Sequence, residues 1–189
     1  MNRSVFAFCL LAFSSTAIAE DFDYSYLQLD YGSFEFDDIN VDGDGLGLSG
    51  SYAISPDWHV FGGYQAAGLD FGVDATTLAA GIGYNTELSP VLDMVARLSY
   101  QYVELDAPGG GNFDDSGLGF GIGIRFAASA DLELTAGIDY VDFGDGSDDT
   151  GFSAGGLYNF TDAFALGLGG SWSDDTSALV LSGRFYFGR

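Results

Sequence analysis

The chain has 189 residues, enough for one domain of ordinary size. Five basic residues against 28 acidic ones, with no lysine, give a net charge of −23 and remove the basic footprint that nucleic-acid binding needs. Strong acidity usually accompanies disorder, yet 47% of the residues are hydrophobic, 16% are aromatic and the mean hydropathy is +0.16, so the composition predicts an ordered chain with two segregated surfaces.

The first residues read as a leader. Met1 to Ser4 form a short positive start, Val5 to Phe13 are apolar, and Ala17-Ile18-Ala19 is a small-residue cleavage site. That is the pattern of a secretory signal peptide over residues 1–19, with residues 20–189 as the mature domain. The apolar run is far short of the ~20 residues a spanning helix needs. Cys9, the single cysteine, lies inside it, so the mature part has no thiol for disulfides or Cys-based metal sites.

The mature part shows alternation with period 2, the mark of strands with two different faces. Ten strands are predicted in chain order. The first covers residues 24–34, with Leu27, Leu29 and Tyr31 on one face and Gln28 and Asp30 on the other. The second places Leu46, Leu48, Tyr52 and Ile54 together, and the third Trp58, Val60 and Tyr64 against His59 and Gln65. The fourth groups Leu78, Ile82 and Tyr84 against Gly81 and Gly83. The fifth is the clearest: Leu92, Met94, Leu98, Tyr100 and Tyr102 against Asp93, Val95, Arg97 and Ser99. The sixth sets Leu118, Phe120, Ile122, Ile124 and Phe126 against glycines and Arg125; the seventh sets Leu132, Leu134, Ile138 and Tyr140 against Glu133 and Asp139. Phe152 to Tyr158, Ala165 to Trp172 and Leu179 to Phe187 complete the set. Eight strands is the alternative, with the eighth or the first dropped.

Connections alternate in kind. Tight ones fall at residues 55–57, 88–90, 127–131 and 161–163; acidic, glycine-rich ones at 37–44, 68–74, 106–115, 142–149 and 174–175. Short turns at one end and polar loops at the other fit a transmembrane barrel, with turns and both termini in the periplasm and loops outside. The more polar face carries glycine, alanine and serine with few charges. That suits a narrow lumen better than the wet exterior of a soluble sandwich. On the apolar face Tyr52, Trp58 and Tyr84 sit beside the tight turns, and Tyr64, Tyr100, Tyr140 and Trp172 toward the acidic loops, with aliphatic residues between. Two aromatic belts around an aliphatic band are what membrane interfaces select. The expected fold is therefore all-β: a closed antiparallel up-and-down transmembrane β-barrel.

On these patterns the chain resembles the small outer-membrane β-barrel proteins of Gram-negative bacteria, in the OmpA-transmembrane-domain and porin-like style. The resemblance implies an outer-membrane location and contact with lipid and lipopolysaccharide. It also implies that the last strand, with Phe185 and Phe187, is the signal read by the barrel-assembly machinery; here Gly188 and Arg189 follow it.

Several constellations are candidates for chemistry. Arg125 and Glu133 are equidistant from Ser129, so a simple hairpin places them opposite each other, both inward, as a lumen ion pair. Arg97 faces Gly83, which leaves space for a long side chain; Asp93 shares its inward face, and Arg184 of the last strand meets Asp30 of the first. Asp38, Asn40, Asp42 and Asp44 start like an EF-hand loop, but Ser49 stands where a bidentate Glu is needed. Weak calcium or magnesium binding by the loops is what remains, and no other cofactor is expected. His59, the single histidine, excludes multi-histidine metal sites. The expected function is structural or surface-interacting and non-enzymatic. A narrow cation-favouring channel is the alternative, and an enzyme acting on lipid A or peptides is a distant third. Sequence leaves the oligomeric state open.

Overall fold

The structure, a computed structural model, describes residues 22–36, 41–109, 111–144, 147–173 and 176–187. The predicted leader and the loop positions Asp38 and Asn40 lie outside these residues. Ten antiparallel strands form one closed ring: β1 (Tyr26–Phe36), β2 (Val41–Ala53), β3 (Trp58–Leu69), β4 (Val73–Ser89), β5 (Leu92–Ala107), β6 (Gly111–Ala127), β7 (Leu132–Gly144), β8 (Ser147–Thr161), β9 (Phe164–Trp172) and β10 (Thr176–Tyr186). Each strand pairs with its sequence neighbours, and β1 pairs with β10 from Tyr26↔Tyr186 to Phe36↔Thr176 to close the barrel. The seam runs one step further, where Phe187 N–H donates to the Ser25 carbonyl at 3.0 Å. Residues 22 and 187 therefore lie at the tight-turn end.

Three of the four tight turns are built on hydroxyls. Ser55, Ser129 and Thr161 each accept backbone N–H groups two or three residues on, at 3.1–3.3 Å. The expected apolar face points outward all round the ring. Leu27, Leu48, Leu98, Ile122, Leu168 and Leu181 are each about half exposed, which a soluble fold does not tolerate in a continuous band. At the tight-turn end Trp58 packs on Tyr84 at 5.0 Å, and Tyr158 packs edge-on against Phe160 at 4.9 Å. Tyr31, Tyr64, Tyr100, Tyr140 and Trp172 stand outward toward the other end.

The strands are longer than the alternation suggested, and unequal. β4, β5 and β6 have 17, 16 and 17 residues, whereas β9, β10 and β1 have 9, 11 and 11. Nine to eleven tilted residues suffice to cross a bilayer. The extra length of β4–β6, roughly 20 Å at ~3.4 Å per residue, extends the sheet past the upper aromatic girdle. Most of what reads as acidic loop is thus paired strand: Asp106↔Asn112, Glu104↔Asp114 and Asp142↔Asp148 are ladder partners. Asp42 and Asp44 likewise belong to β2, opposite Glu35 and Ser33.

Trp58 and Trp172 mark the two girdles on the lipid face. In vesicles containing lipids brominated near the headgroup, both should be quenched, and Trp58→Phe and Trp172→Phe should each keep roughly half of the quenchable signal. A tryptophan quenched by aqueous iodide instead would place its girdle outside the bilayer.

Candidate functional site in the lumen

The inward face carries the chemistry. Period 2 sends His59, Asp93, Val95, Arg125, Glu133, Ala165 and Tyr186 inward, and all are buried. Arg125 holds Glu133 in a bidentate pair, Nε to Oε1 at 2.7 Å and Nη2 to Oε2 at 2.8 Å. The register differs from the symmetric hairpin. Arg125 stands opposite Thr135 and Ala127 opposite Glu133, because the Ser129 turn is centred one residue later. The pair is diagonal across the ladder, a separation that a long side chain spans.

A further layer comes from the segment before β1, of which alternation alone places only Tyr24 and Ser25 at the start of a strand. Phe22 to Ser25 precede β1 and enter the barrel mouth. Tyr24 stacks on the His59 ring at 4.8 Å and donates its hydroxyl to Asp93 Oδ2 at 2.8 Å. The Arg125 guanidinium lies over the Tyr24 and Phe22 rings at 4.5 and 4.9 Å, and its Nη1 donates to the Asp23 carbonyl at 3.1 Å. Asp93, expected on the inward face near Arg97, is the acceptor of this layer and the ladder partner of Arg125.

Arg97 does stand opposite Gly83, but the space over Gly83 is filled by the His59 imidazole, from the strand on the other side. His59 is 3% exposed and its Nδ1 is 3.2 Å from Asn85 Oδ1; no serine or carboxylate is bonded to it among the described residues. On the far side of Arg97, Gly121 is covered by the Asp139 carboxylate. Arg97 leans toward Phe61, 5.9 Å from the ring, and makes no ion pair among the described residues. Arg184 does not reach Asp30. The β1–β10 register sets it opposite Gln28, whose Oε1 it bonds at 2.7 Å, while Asp30 faces Ser182. Gln28 and Ser182 in turn donate to Asp30 Oδ1 at 2.8 and 2.6 Å, so Arg184 and Asp30 belong to one chain with Gln28 between them.

These two layers divide the lumen into chambers. A mouth of 470 Å³ at the tight-turn end is lined by Phe22, Tyr24, Pro56 and Asp93. An inner chamber of 180 Å³ is lined by Tyr24, His59 and by Arg97, Arg125 and Arg184, all the arginines of the described residues. A chamber of 340 Å³ toward the acidic end is lined by Gln28, Asp30, Phe34 and Ser182.

A closed ring of antiparallel strands with an apolar exterior and a polar lumen is the architecture of an outer-membrane barrel, and residues 5–160 match the model of the outer membrane protein beta-barrel domain family. The chain belongs to that family. Among solved structures it is similar to the KdgM porin in complex with disordered oligogalacturonate, at 9% identity over 85% of this chain and 99% of that one, with a TM-score of 0.50. The NanC porin gives 9% identity, coverages of 84% and 100% and a TM-score of 0.50. Neisserial surface protein A gives 20%, 87% and 98%, with 0.46. At such identities the likeness shows the fold alone. No curated protein matches the chain in sequence. This member of the outer membrane protein beta-barrel domain family is an outer-membrane barrel, and its particular features are the Tyr24 layer and the arginine-lined chamber.

The buried ion pair gives a direct test. Glu133→Gln leaves the Arg125 charge buried without its partner and should cost about 3–5 kcal/mol in urea unfolding of the reconstituted barrel. Replacing both, Arg125→Met with Glu133→Leu, should cost clearly less. Equal losses would show that packing rather than charge governs the layer.

Proposed function

We propose that this protein is a closed, non-conducting barrel without a catalytic role, its acidic end facing outward and both termini in the periplasm. The observation that carries this is Tyr24, which lines both the 470 Å³ mouth and the 180 Å³ chamber and so forms the partition between them. A stacked, hydrogen-bonded ring in that position, braced by the Arg125–Glu133 pair, leaves solutes no straight path. The orientation is supported by the tight hydroxyl-built turns at one end and the long acidic extensions at the other. The absence of catalysis is supported by His59, which is sealed by Tyr24 and Asn85. In this reading the outward carboxylates meet anionic lipopolysaccharide only through bridging divalent cations.

A cation-favouring channel is the second reading, supported by the carboxylates around the acidic end, which raise local cation concentration. Three guanidinium groups around the inner chamber oppose cation passage at the waist. Planar-bilayer recording separates the two. The purified protein should show no steady conductance, and Tyr24→Ala should introduce discrete openings. Discrete cation-selective steps from the unaltered protein would overturn the closed-barrel reading, and a silent Tyr24→Ala would remove Tyr24 as its seal.

A further inference from the structure

The two faces of the sheet exchange polarity above the upper girdle. Below it, the outward face is apolar. Above Tyr31, Tyr64, Tyr102 and Tyr140, outward positions become Glu35, Asp42, Asp44, Asp74, Glu104, Asp106, Asp114 and Asp142. The inward face changes the other way. One ladder row reads Asp30, Gly47, Gln65, Thr77, Val103, Asp115, polar or glycine at five of its six places. The next row reads Gly32, Gly45, Ala67, Ala75, Leu105, Phe113, and the one above it Phe34, Gly43, Leu69, Val73. The change from polar to apolar takes two residues, roughly 7 Å along a strand.

An acidic outside and an apolar inside is the pattern of a water-soluble barrel, whose apolar interior normally packs on itself. Here it does not. Phe113 is 58% exposed, and Phe34, Leu69, Val73 and Leu105 are only partly buried. The 340 Å³ chamber opens directly beneath, with Phe34, Ala178 and Val180 on its wall and Asp30 on its floor. That volume is at the small end of ordinary ligand sites. Both hydrogen bonds that Asp30 accepts go to Oδ1, and Oδ2 takes none among the described residues. The carboxylates outside the crown make the approach attractive to cations and repellent to anions.

We propose that the acidic end is a binding cup for a small apolar cation, with its hydrocarbon part against Phe34, Ala178 and Val180 and its charge over Asp30. A substituted ammonium with an alkyl arm of six to eight carbons, on the order of 10 Å long, reaches from Asp30 past Gly32, over which the Phe34 ring lies, into the apolar rows above. The proposal deepens the reading of the acidic end as the working end, and the two are separable. A barrel that conducts and still binds the cation overturns the closed lumen and leaves the cup standing.

Isothermal titration of the barrel in nanodiscs, with empty nanodiscs subtracted to remove partition into lipid, tests it with octyltrimethylammonium, octanoate and tetramethylammonium. Octyltrimethylammonium should bind saturably and at least ten-fold more tightly than either comparator. Asp30→Asn and Phe34→Ser should each weaken it by about ten-fold, in barrels whose fold is checked by heat-modifiable gel migration. Octanoate binding as tightly would overturn the charge assignment, and tetramethylammonium binding as tightly would overturn the role of the crown. No saturable heat, or variants that bind like the parent, would overturn the site.

Discussion

A bilayer offers no hydrogen-bond partner to a backbone, and the rest of this structure follows from that single constraint. A strand that crosses lipid must find both its neighbours within the protein, so the sheet has no permissible edge. The β1–β10 ladder, eleven residue pairs long, is where the constraint is met. Up-and-down antiparallel connection then requires an even strand number and leaves the first and last strands with their free ends on the same side. The Phe187-to-Ser25 bond places the N-terminal segment beside the end of β10, at the rim of the lumen, and from there Tyr24 turns inward.

Closure also decides what the inside can hold. Ten strands enclose a space too small for large side chains on every inward position. The inward glycines are the response, and they act as sockets more than as water space. Gly83 accepts the His59 ring and Gly121 accepts the Asp139 carboxylate, each reaching over from a neighbouring strand. With the waist filled in this way, the few buried charges must be satisfied locally. Arg125 does so with Glu133, the Asp23 carbonyl and two aromatic faces, and Arg184 does so with Gln28 and the Tyr26 ring at 4.0 Å. Arg97, by contrast, is exposed to the lumen, and among the described residues the chamber it lines gathers all three arginines, with Glu133 and Asp139 beside them.

Much of this was legible in the sequence, because lipid enforces a strict period. Leu118 to Phe126 alternates without error and Leu92 to Tyr102 breaks only at the inward Val95, and the strand count and facing followed. What was not legible depends on long-range contact or on turn geometry. The Ser129 turn is centred one residue later than symmetry suggests, because Ser129 Oγ accepts from both Asp131 and Leu132. That shift turns an opposed Arg125–Glu133 pair into a diagonal one. Tyr24 continues the alternation of β1, and nothing local distinguishes a lumen seal from the first residue of a strand; only its partners, 35 and 69 positions away at His59 and Asp93, do so. Likewise Arg184 was drawn toward Asp30 by charge, whereas the closing register gave it Gln28.

The strand ends were missed for a different reason, and the reason is informative. Past Tyr102 and Tyr140 the period of 2 continues, as Val103, Leu105 and Ala107 alternate with Glu104 and Asp106. Its sign has reversed, so a reading that follows one apolar face sees the strand stop. The backbone pays no attention to that boundary: β5 and β6 stay paired up to Ala107↔Gly111. The same sheet passes through two solvents. In lipid the outward side chains must be apolar and the inward ones small and polar; in water the preference inverts. The point of inversion therefore marks the membrane surface more sharply than strand length does. It also explains how so acidic a protein remains an integral membrane protein: among the described residues most carboxylates lie above the upper girdle, and those at the level of the bilayer, such as Asp93, Glu133 and Asp139, face the lumen.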